Sequence, residues 1–241
     1  MYQYLKNYVY KKVKTRNSQS NFKDLNLFDV TSLLDKFELS FLEVIKSAPV
    51  WMSRAERLLL FSFIFCLRPA SYLEIGTFKG GSALIVSSAM DASENNGRMV
   101  CIDPDPQIEP IDWQKIHHRA SLVKGYSPDI LPEALEILGN RLDFALIDGD
   151  HRAASVLKDA NGLLPFASKG AYFLFHDCFN AEVQEGIEYF LGQHSKNVKD
   201  CGILTREYTK EDQFGKNPTW WGGMRLVKVM NSKFFGTGKT Y

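Results

Sequence analysis

Residues 72–82 read YLEIGTFKGGS, an apolar run that leads into a glycine-containing turn and then into the start of a helix. Glycine in such a turn lets the backbone approach a ligand closely, and the first turn of the helix presents free N–H groups. This is the nucleotide-binding position of a doubly wound α/β fold. The glycines follow the spacing G-x-x-x-G-G, which matches neither the dinucleotide fingerprint nor the phosphate-binding loop.

The next apolar run, residues 99–103, reads MVCID and ends in an acidic side chain. Asp103 therefore follows the second predicted strand, where an acid is well placed to accept hydrogen bonds from ribose hydroxyls. Each acidic residue also has a plain structural interpretation, since Asp103 could start a turn with Pro104 and Glu74 could cap or pair locally. The two segments together, in this order, favour an adenosine-type ligand.

Strand-like runs alternate with helical segments along most of the chain. We predict strands at 72–75, 99–102, 121–124, 144–147 and 171–175, and helices at 54–68, 80–92, 111–118, 128–138, 152–164 and 181–192. This alternation predicts a doubly wound, mostly parallel, seven-stranded sheet of Rossmann-like type. Two final strands, at 201–205 and 224–229, have no clear helix between them, so we expect an antiparallel edge hairpin and a loop at 210–221.

The N-terminal part predicts a separate element. Residues 1–50 are polar and basic at first and then amphipathic, so we expect a helical cap or extension in front of a domain at 51–241. Ser53 and Glu56 show the spacing of a capping box, which predicts the start of a buried helix. The basic N-terminus could touch an anionic surface or simply fray into solvent.

Composition limits the function classes. The 241 residues include 29 Lys+Arg and 28 Asp+Glu, a formal net charge of +1 that gives no electrostatic case for a nucleic-acid partner. The four cysteines show neither a disulfide framework nor metal-binding spacing, which suits a reducing compartment. Because no secretory signal and no membrane-spanning run is visible, we expect a cytoplasmic protein without a transmembrane segment.

Two further predicted strands end in polar side chains. Asp148 ends the run LDFALID and is followed by a glycine turn and His151, whereas His176 and Asp177 end the run FLFHD. Adjacent parallel strands would bring Asp148 and Asp177 together, and two such carboxylates repel unless a cation or a proton lies between them. Oxygen-rich sites of this kind suit Mg²⁺, Ca²⁺ or Mn²⁺.

The motifs LEIGTFKGGS and CIDPD resemble the first two motifs of class I S-adenosylmethionine (SAM)-dependent methyltransferases. More narrowly, residues 50–230 are similar to the catechol O-methyltransferase-like group and to the cephalosporin hydroxylase and macrolide-sugar O-methyltransferase-like group. The resemblance implies that residues 51–241 form a SAM-binding methyltransferase domain. It implies a cofactor site made of Glu74, Gly76, Thr77, Phe78, Gly80, Ser82, Asp103, Tyr126, Ser127 and Asp148.

The resemblance also implies a divalent cation, Mg²⁺ or Mn²⁺, bound by Asp148 and by the pair that follows the fifth strand. Here Asp177 is flanked by His176 and Cys178, so one oxygen ligand of the acidic or acid–amide pair of the metal-dependent members is missing or replaced. His176 could therefore be a nitrogen ligand or a silent core histidine. His151 matches the general base of the sugar O-methyltransferases, with Asp148 as its catalytic neighbour.

The sequence thus predicts a SAM-dependent O-methyltransferase that acts on a hydroxyl of a small molecule or a sugar-containing natural product, with His151 as the base. We expect an acceptor pocket built from Trp51, Met52, Phe179 and residues 208–221, and a homo-oligomer of two or more chains. Tyr126 and Ser127 could instead form only a turn and a helix cap. The alternatives are a nicotinamide-dependent oxidoreductase, which the glycine spacing disfavours, a hydroxylase, and a non-catalytic nucleotide-binding protein, which the intact glycines disfavour.

Overall fold

The computed structural model describes residues 38–212 and 218–231. Residues 1–37 of the expected N-terminal cap therefore lie outside the described residues, as do residues 213–217 of the expected loop. The described end of the expected cap is helical, with a short 3₁₀ helix at Leu39–Leu42 that runs into an α-helix at Glu43–Ser47. None of the described helices combines the length and the apolar character that crossing a membrane requires.

The helices and strands follow the predicted alternation. The described α-helices are α1 Glu43–Ser47, α2 Arg54–Leu67, α3 Gly81–Ala92, α4 Pro110–Ile116, α5 Leu131–Ile137, α6 Ala153–Leu163 and α7 Ala181–Gln193. The described strands are β1 Ser71–Ile75, β2 Arg98–Asp103, β3 Ala120–Lys124, β4 Leu142–Ile147, β5 Ala167–Phe175, β6 Val198–Ile203, β7 Thr209–Glu211, β8 Thr219–Trp221 and β9 Arg225–Val229.

The main sheet has seven strands in the order β3-β2-β1-β4-β5-β9-β6. The first five strands of this order are parallel, and β9 pairs antiparallel with both β5 and β6. The predicted doubly wound sheet with an antiparallel hairpin at its edge is therefore confirmed. The strand order reverses between β1 and β4, and a ligand crevice is expected at such a switch point, beyond the carboxyl ends of the strands.

Two details at the C-terminal edge differ from the prediction. The strand expected at 201–205 begins earlier, at Val198, because an edge strand tolerates the polar Lys199 and Asp200 that hid it in the sequence. Part of the expected loop at 210–221 forms strands, since β7 and β8 pair as a small antiparallel ribbon. Strands of three residues carry too little alternation to be recognised in a sequence.

The central strands are apolar because both faces of the sheet are covered. Every residue of β1 is buried. Leu73 packs in the core on the side of α6 and α7, whereas Tyr72 packs in the core on the side of α2 and α3. A strand buried on both faces needs no polar alternation, which explains the continuous apolar runs of the sequence.

The capping box predicted at the start of α2 is present. The Ser53 amide donates to Glu56 Oε2 at 2.7 Å, and the Glu56 amide donates to Ser53 Oγ at 3.4 Å. Glu56 is almost completely buried, and its second oxygen accepts a hydrogen bond from the Gly223 amide at 2.6 Å. One carboxylate thus fixes the start of α2 against the segment before β9.

The turn after β1 requires glycine because β1 and β4 come very close there. Gly76 has a φ of +92°, and a Cβ atom at this position would lie 1.9 Å from the carbonyl oxygen of Asp148. Backbone atoms cannot yield to such an overlap without moving the strand ends. The residue at position 76 therefore sets the spacing between the glycine turn and Asp148.

We expect Gly76→Ala to lower the free energy of unfolding by at least about 2 kcal/mol, since it combines backbone strain with a backbone clash. Gly170→Ala is the matched control, because Gly170 has a φ of +90° but open space around the missing Cβ. The control should cost about 1 kcal/mol from strain alone. Urea denaturation of both variants measures the difference, and equal losses would show that the approach of Asp148 is not what requires glycine.

Candidate active site

A cleft of about 700 Å³ opens at the carboxyl ends of the parallel strands. It lies where the strand order reverses, as expected for a ligand site in this architecture. The cleft contains most of the residues assigned to the cofactor from the sequence. These are Gly76, Thr77, Phe78, Ser82, Asp103, Tyr126, Ser127 and Asp148. Glu74 and Gly80 are not among the lining residues, and Glu74 lies fully buried within β1.

Asp103 connects the two motifs that carry the resemblance. Its Oδ2 atom accepts a hydrogen bond from the Phe78 amide at 2.7 Å, and its Oδ1 atom accepts one from the Asp105 amide at 2.7 Å. Phe78 has a φ of +43°, an unusual conformation for an aromatic residue that this hydrogen bond helps to hold. Asp103 therefore shapes the glycine turn and also presents its carboxylate to the cleft.

Glu74 is a buried carboxyl group behind the cleft. The Tyr72 hydroxyl donates to Glu74 Oε2 at 3.0 Å, and no part of Glu74 is exposed to solvent. Burial raises the pKa of Glu74 to about 7, although hydrogen bonds from neighbouring side chains act in the opposite direction. The folded protein therefore binds a proton at this carboxyl at pH values where an exposed glutamate is ionised.

This shift makes stability depend on pH with a definite sign. The folded-state pKa of about 7 lies above the ordinary value of 4.5, so the stabilisation from Glu74 is complete below pH 4.5 and is lost as the pH rises through 7. Between pH 4.5 and pH 8 the free energy of unfolding should therefore fall by an amount on the order of 3 kcal/mol because of Glu74. We expect Glu74→Gln to lack this fall.

Urea denaturation at pH 5 and pH 8 tests this expectation. The free energy of unfolding of Glu74→Gln should fall less over this interval than that of the unmodified chain. Glu136→Gln, a change at an exposed position of α5, serves as the control and should follow the unmodified chain. A parallel pH trend in all three proteins would contradict the assignment of a buried, protonated Glu74.

The ends of β4 and β5 bring the predicted catalytic groups together. His151 Nε2 lies 3.0 Å from Asp177 Oδ2, and the Gly222 amide donates a hydrogen bond to Asp177 Oδ1. The contact with Asp177 raises the pKa of His151, partly offset by burial. The two histidines and the Gly222 amide lower the pKa of Asp177 against the effect of burial.

His176 lies behind this pair and is surrounded by carboxylates. Its Nδ1 atom lies 2.9 Å from Asp148 Oδ1 and 3.4 Å from Asp177 Oδ2, and its Nε2 atom lies 3.4 Å from Glu56 Oε2. Burial lowers the pKa of His176, but the carboxylates outweigh that effect and hold it well above the usual value. His176 is therefore a buried histidine whose ring lies among three carboxylates.

The possible metal ligands differ from the set expected from the sequence. Asp148, His151 and Asp177 offer ligand atoms that all lie within 4.8 Å of one another. His176, which the sequence placed in the ligand set, has both ring nitrogens directed at carboxylates instead. Both histidines line the first cleft, and a pattern of adjacent residues could not show that the ring of His176 is enclosed by carboxylates.

A second cavity of about 690 Å³ adjoins the first and shares four residues with it, namely Val50, Trp51, His151 and Asp177. Its outer wall includes Met52 from the segment before α2, together with Tyr208 and the β7–β8 ribbon. Phe179, which was expected in an acceptor pocket, does not line this cavity and instead packs edge-on against Tyr208 with ring centroids 6.4 Å apart.

The adjacent tryptophans of β8 have different surroundings, because successive side chains of a strand point to opposite faces. The Trp221 ring lies 5.0 Å from the His151 ring at an interplanar angle of 73°, and its indole N–H donates to Glu211 at 2.9 Å. Trp220 instead stacks on Tyr208 with ring centroids 4.7 Å apart. Only Trp221 therefore belongs to the wall of the second cavity.

Two residues of the site escaped the sequence analysis. Glu56 was explained by the capping box, so its second role against Gly223 and His176 gave no separate signal. Asp159 lines the cleft from α6, and burial raises its pKa to about 6. Its position among the apolar residues of the buried face of α6 was the signal that could have identified it.

Comparison with known proteins indicates which class of protein this chain resembles. A methyltransferase-domain family model matches residues 73–178, the segment that contains the glycine turn, Asp103, Asp148 and Asp177. This match and the fold confirm the resemblance to class I SAM-dependent methyltransferases. A curated relative, the uncharacterized protein R132 of Acanthamoeba polyphaga mimivirus, is 34% identical over 117 residues, which cover 44% of this chain. The match spans about half of that relative, 51% of its length.

Solved structures show the same fold at low sequence identity. The O-methyltransferase TomG from Streptomyces achromogenes, involved in tomaymycin synthesis and solved in complex with SAM, is 19% identical. The match covers 83% of this chain and 93% of TomG, with a TM-score of 0.57. The O-methyltransferase from Bacillus cereus, in complex with SAH, is 16% identical, with coverages of 83% and 94% and a TM-score of 0.56.

Proposed function

We propose that this chain is a SAM-dependent O-methyltransferase, with the cofactor in the first cleft and the acceptor in the second cavity. The observation that carries the proposal is the wall between the two cavities, which contains His151 and Asp177. A methyl donor in one cavity and an acceptor in the other would meet at these side chains. Support for the cofactor comes from the family match over the glycine turn and from two similar folds solved with SAM and SAH.

The reaction is an in-line displacement at the methyl carbon of the sulfonium. The acceptor oxygen forms the new bond to this carbon while the carbon–sulfur bond breaks. The electron pair of the broken bond stays on sulfur, so the sulfonium becomes a thioether. Most of the acceleration comes from holding the two reactants in line and excluding water. The proton of the acceptor hydroxyl passes to His151, whose raised pKa suits a general base near neutral pH. Since Nε2 faces Asp177, Nδ1 is the nitrogen that accepts it.

A divalent cation, Mg²⁺ or Mn²⁺, is a second candidate element of this site. The spacing of Asp148, His151 and Asp177 favours it, because three ligand atoms lie within 4.8 Å. When bound, a cation lowers the pKa of a coordinated hydroxyl. A cation bound here would also either coordinate the His151 nitrogen that has to accept the proton or displace the contact between His151 and Asp177. We therefore assign His151 to proton transfer.

The acceptor in this proposal is a hydroxyl of a small molecule or a sugar. Trp51, Tyr208 and Trp221 line the second cavity, and aromatic faces of this kind pack well against planar rings and sugar rings. A volume of about 690 Å³ suits a small-molecule ligand. The homo-oligomeric assembly, the absence of a nucleic-acid partner and the cytoplasmic location inferred from the sequence stay predictions.

Asp103→Asn tests the cofactor assignment. We expect the unmodified chain to bind S-adenosylhomocysteine in isothermal calorimetry and the variant to bind it about tenfold more weakly, because a hydrogen bond to a charged group contributes roughly 1.5–3 kcal/mol. Asp105→Asn, a change at an exposed neighbour, is the matched control and should keep the affinity. Binding of NAD⁺ in place of S-adenosylhomocysteine would contradict the proposal and favour an oxidoreductase.

His151→Gln tests the base. The variant should lose roughly 10²–10⁴-fold in methyl transfer, measured with radiolabelled SAM and an acceptor chosen from a panel of phenols and glycosides, and keep its affinity for S-adenosylhomocysteine. Asp177→Asn should shift the acidic limb of the pH–rate profile to lower pH, because Asp177 raises the pKa of His151. Full turnover of His151→Gln would overturn the base assignment.

A further inference from the structure

We propose that the imidazole of His176 takes the place of the divalent cation between Asp148 and Asp177, so that methyl transfer in this chain proceeds without a metal ion. The proposal rests on the proposed function and leaves the role of His151 unchanged. It concerns the one position where the sequence departs from the metal-dependent members of the group it resembles.

The first argument is the position of the ring. Two carboxylates that face one crevice repel each other, and something that attracts both must lie between them. His176 Nδ1 meets this need, at 2.9 Å from Asp148 Oδ1 and 3.4 Å from Asp177 Oδ2. Nδ1 thus makes a hydrogen bond to Asp148 and lies within ion-pair distance of Asp177, so one ring nitrogen contacts the carboxylates that follow both β4 and β5. Holding these two carboxylates together is the structural task that a bound cation would otherwise perform.

The second argument is the state of Asp177. Its Oδ1 atom accepts the Gly222 amide, and its Oδ2 atom is approached by His151 Nε2 at 3.0 Å as well as by His176. Both oxygens are therefore engaged by donors of the protein. A cation could bind Asp177 only by displacing one of these contacts, which would leave a buried donor without its partner.

The third argument is that the ring is fixed from behind. His176 Nε2 lies 3.4 Å from Glu56 Oε2, and Glu56 is itself held by the amides of Ser53 and Gly223 at 2.7 Å and 2.6 Å. Both His176 and Glu56 are almost completely buried. The imidazole therefore cannot turn to offer a lone pair to a metal without breaking the 2.9 Å hydrogen bond between its Nδ1 atom and Asp148 and moving Nε2 away from Glu56.

Direct titration with Mn²⁺, followed by electron paramagnetic resonance in the presence of S-adenosylhomocysteine, tests the proposal. We expect no stoichiometric binding by the unmodified chain. His176→Asp restores an oxygen ligand beside Asp148 and Asp177, so it should bind one Mn²⁺ at least about tenfold more tightly than the unmodified chain. His176→Asn offers the same oxygen without a further buried charge and serves if the aspartate variant does not fold.

One result would overturn the inference. If the unmodified chain binds one Mn²⁺ per molecule and Asp148→Asn abolishes that binding, a metal site exists beside His176 and the bridging role is wrong. The proposed function fails separately, by loss of S-adenosylhomocysteine binding in the same samples. Metal binding with intact cofactor binding therefore contradicts only the role of His176.

Discussion

The buried contact between Glu56 and His176 is the interaction on which the site depends. Glu56 belongs to α2 and His176 follows β5, so this contact joins the first long helix of the domain to the carboxyl ends of the parallel strands. His176 in turn holds Asp148, and Asp177 holds His151. Removing one partner of such a buried pair leaves an uncompensated charge and typically costs about 3–5 kcal/mol. The orientation of the proposed base is therefore linked to the packing of α2.

The same contact explains why the domain needs more than its methyltransferase motifs. The family match covers residues 73–178, yet Glu56 precedes this segment and Gly222 and Gly223 follow it. The amides of these two glycines donate to Asp177 and Glu56. Segments from both ends of the described chain thus position groups that the central motifs supply.

The fold and the cleft at the carboxyl ends of the strands could be predicted from the sequence because their signals are local. The run at 72–82 and the acid at 103 each carry strand, turn and ligand group within a few residues. The close approach of Gly76 to Asp148 in the structure agrees with the glycine turn that the sequence predicts. Glu74 is an exception. The motif identifies this residue, but side chains of a strand alternate between the two faces of the sheet, and this alternation places Glu74 behind the cleft.

The sequence suggested several residues of the second cavity, but neither the shape of this cavity nor the different surroundings of the two histidines could be predicted in the same way. The cavity is assembled from Trp51, Tyr208 and Trp221, which are far apart in the sequence and meet only because the β7–β8 ribbon folds towards α2. His151 and His176 are equally suitable ligands as residue types. Only the packing of Glu56 behind His176 distinguishes this residue, the proposed bridge between the carboxylates, from His151, the proposed base.

A crystal structure with S-adenosylhomocysteine would test the central claim most directly. The account predicts that the adenosine lies beside Asp103 and that the thioether sulfur faces the wall formed by His151 and Asp177, towards the second cavity. A ligand bound elsewhere, or one whose sulfur points away from His151, would contradict it.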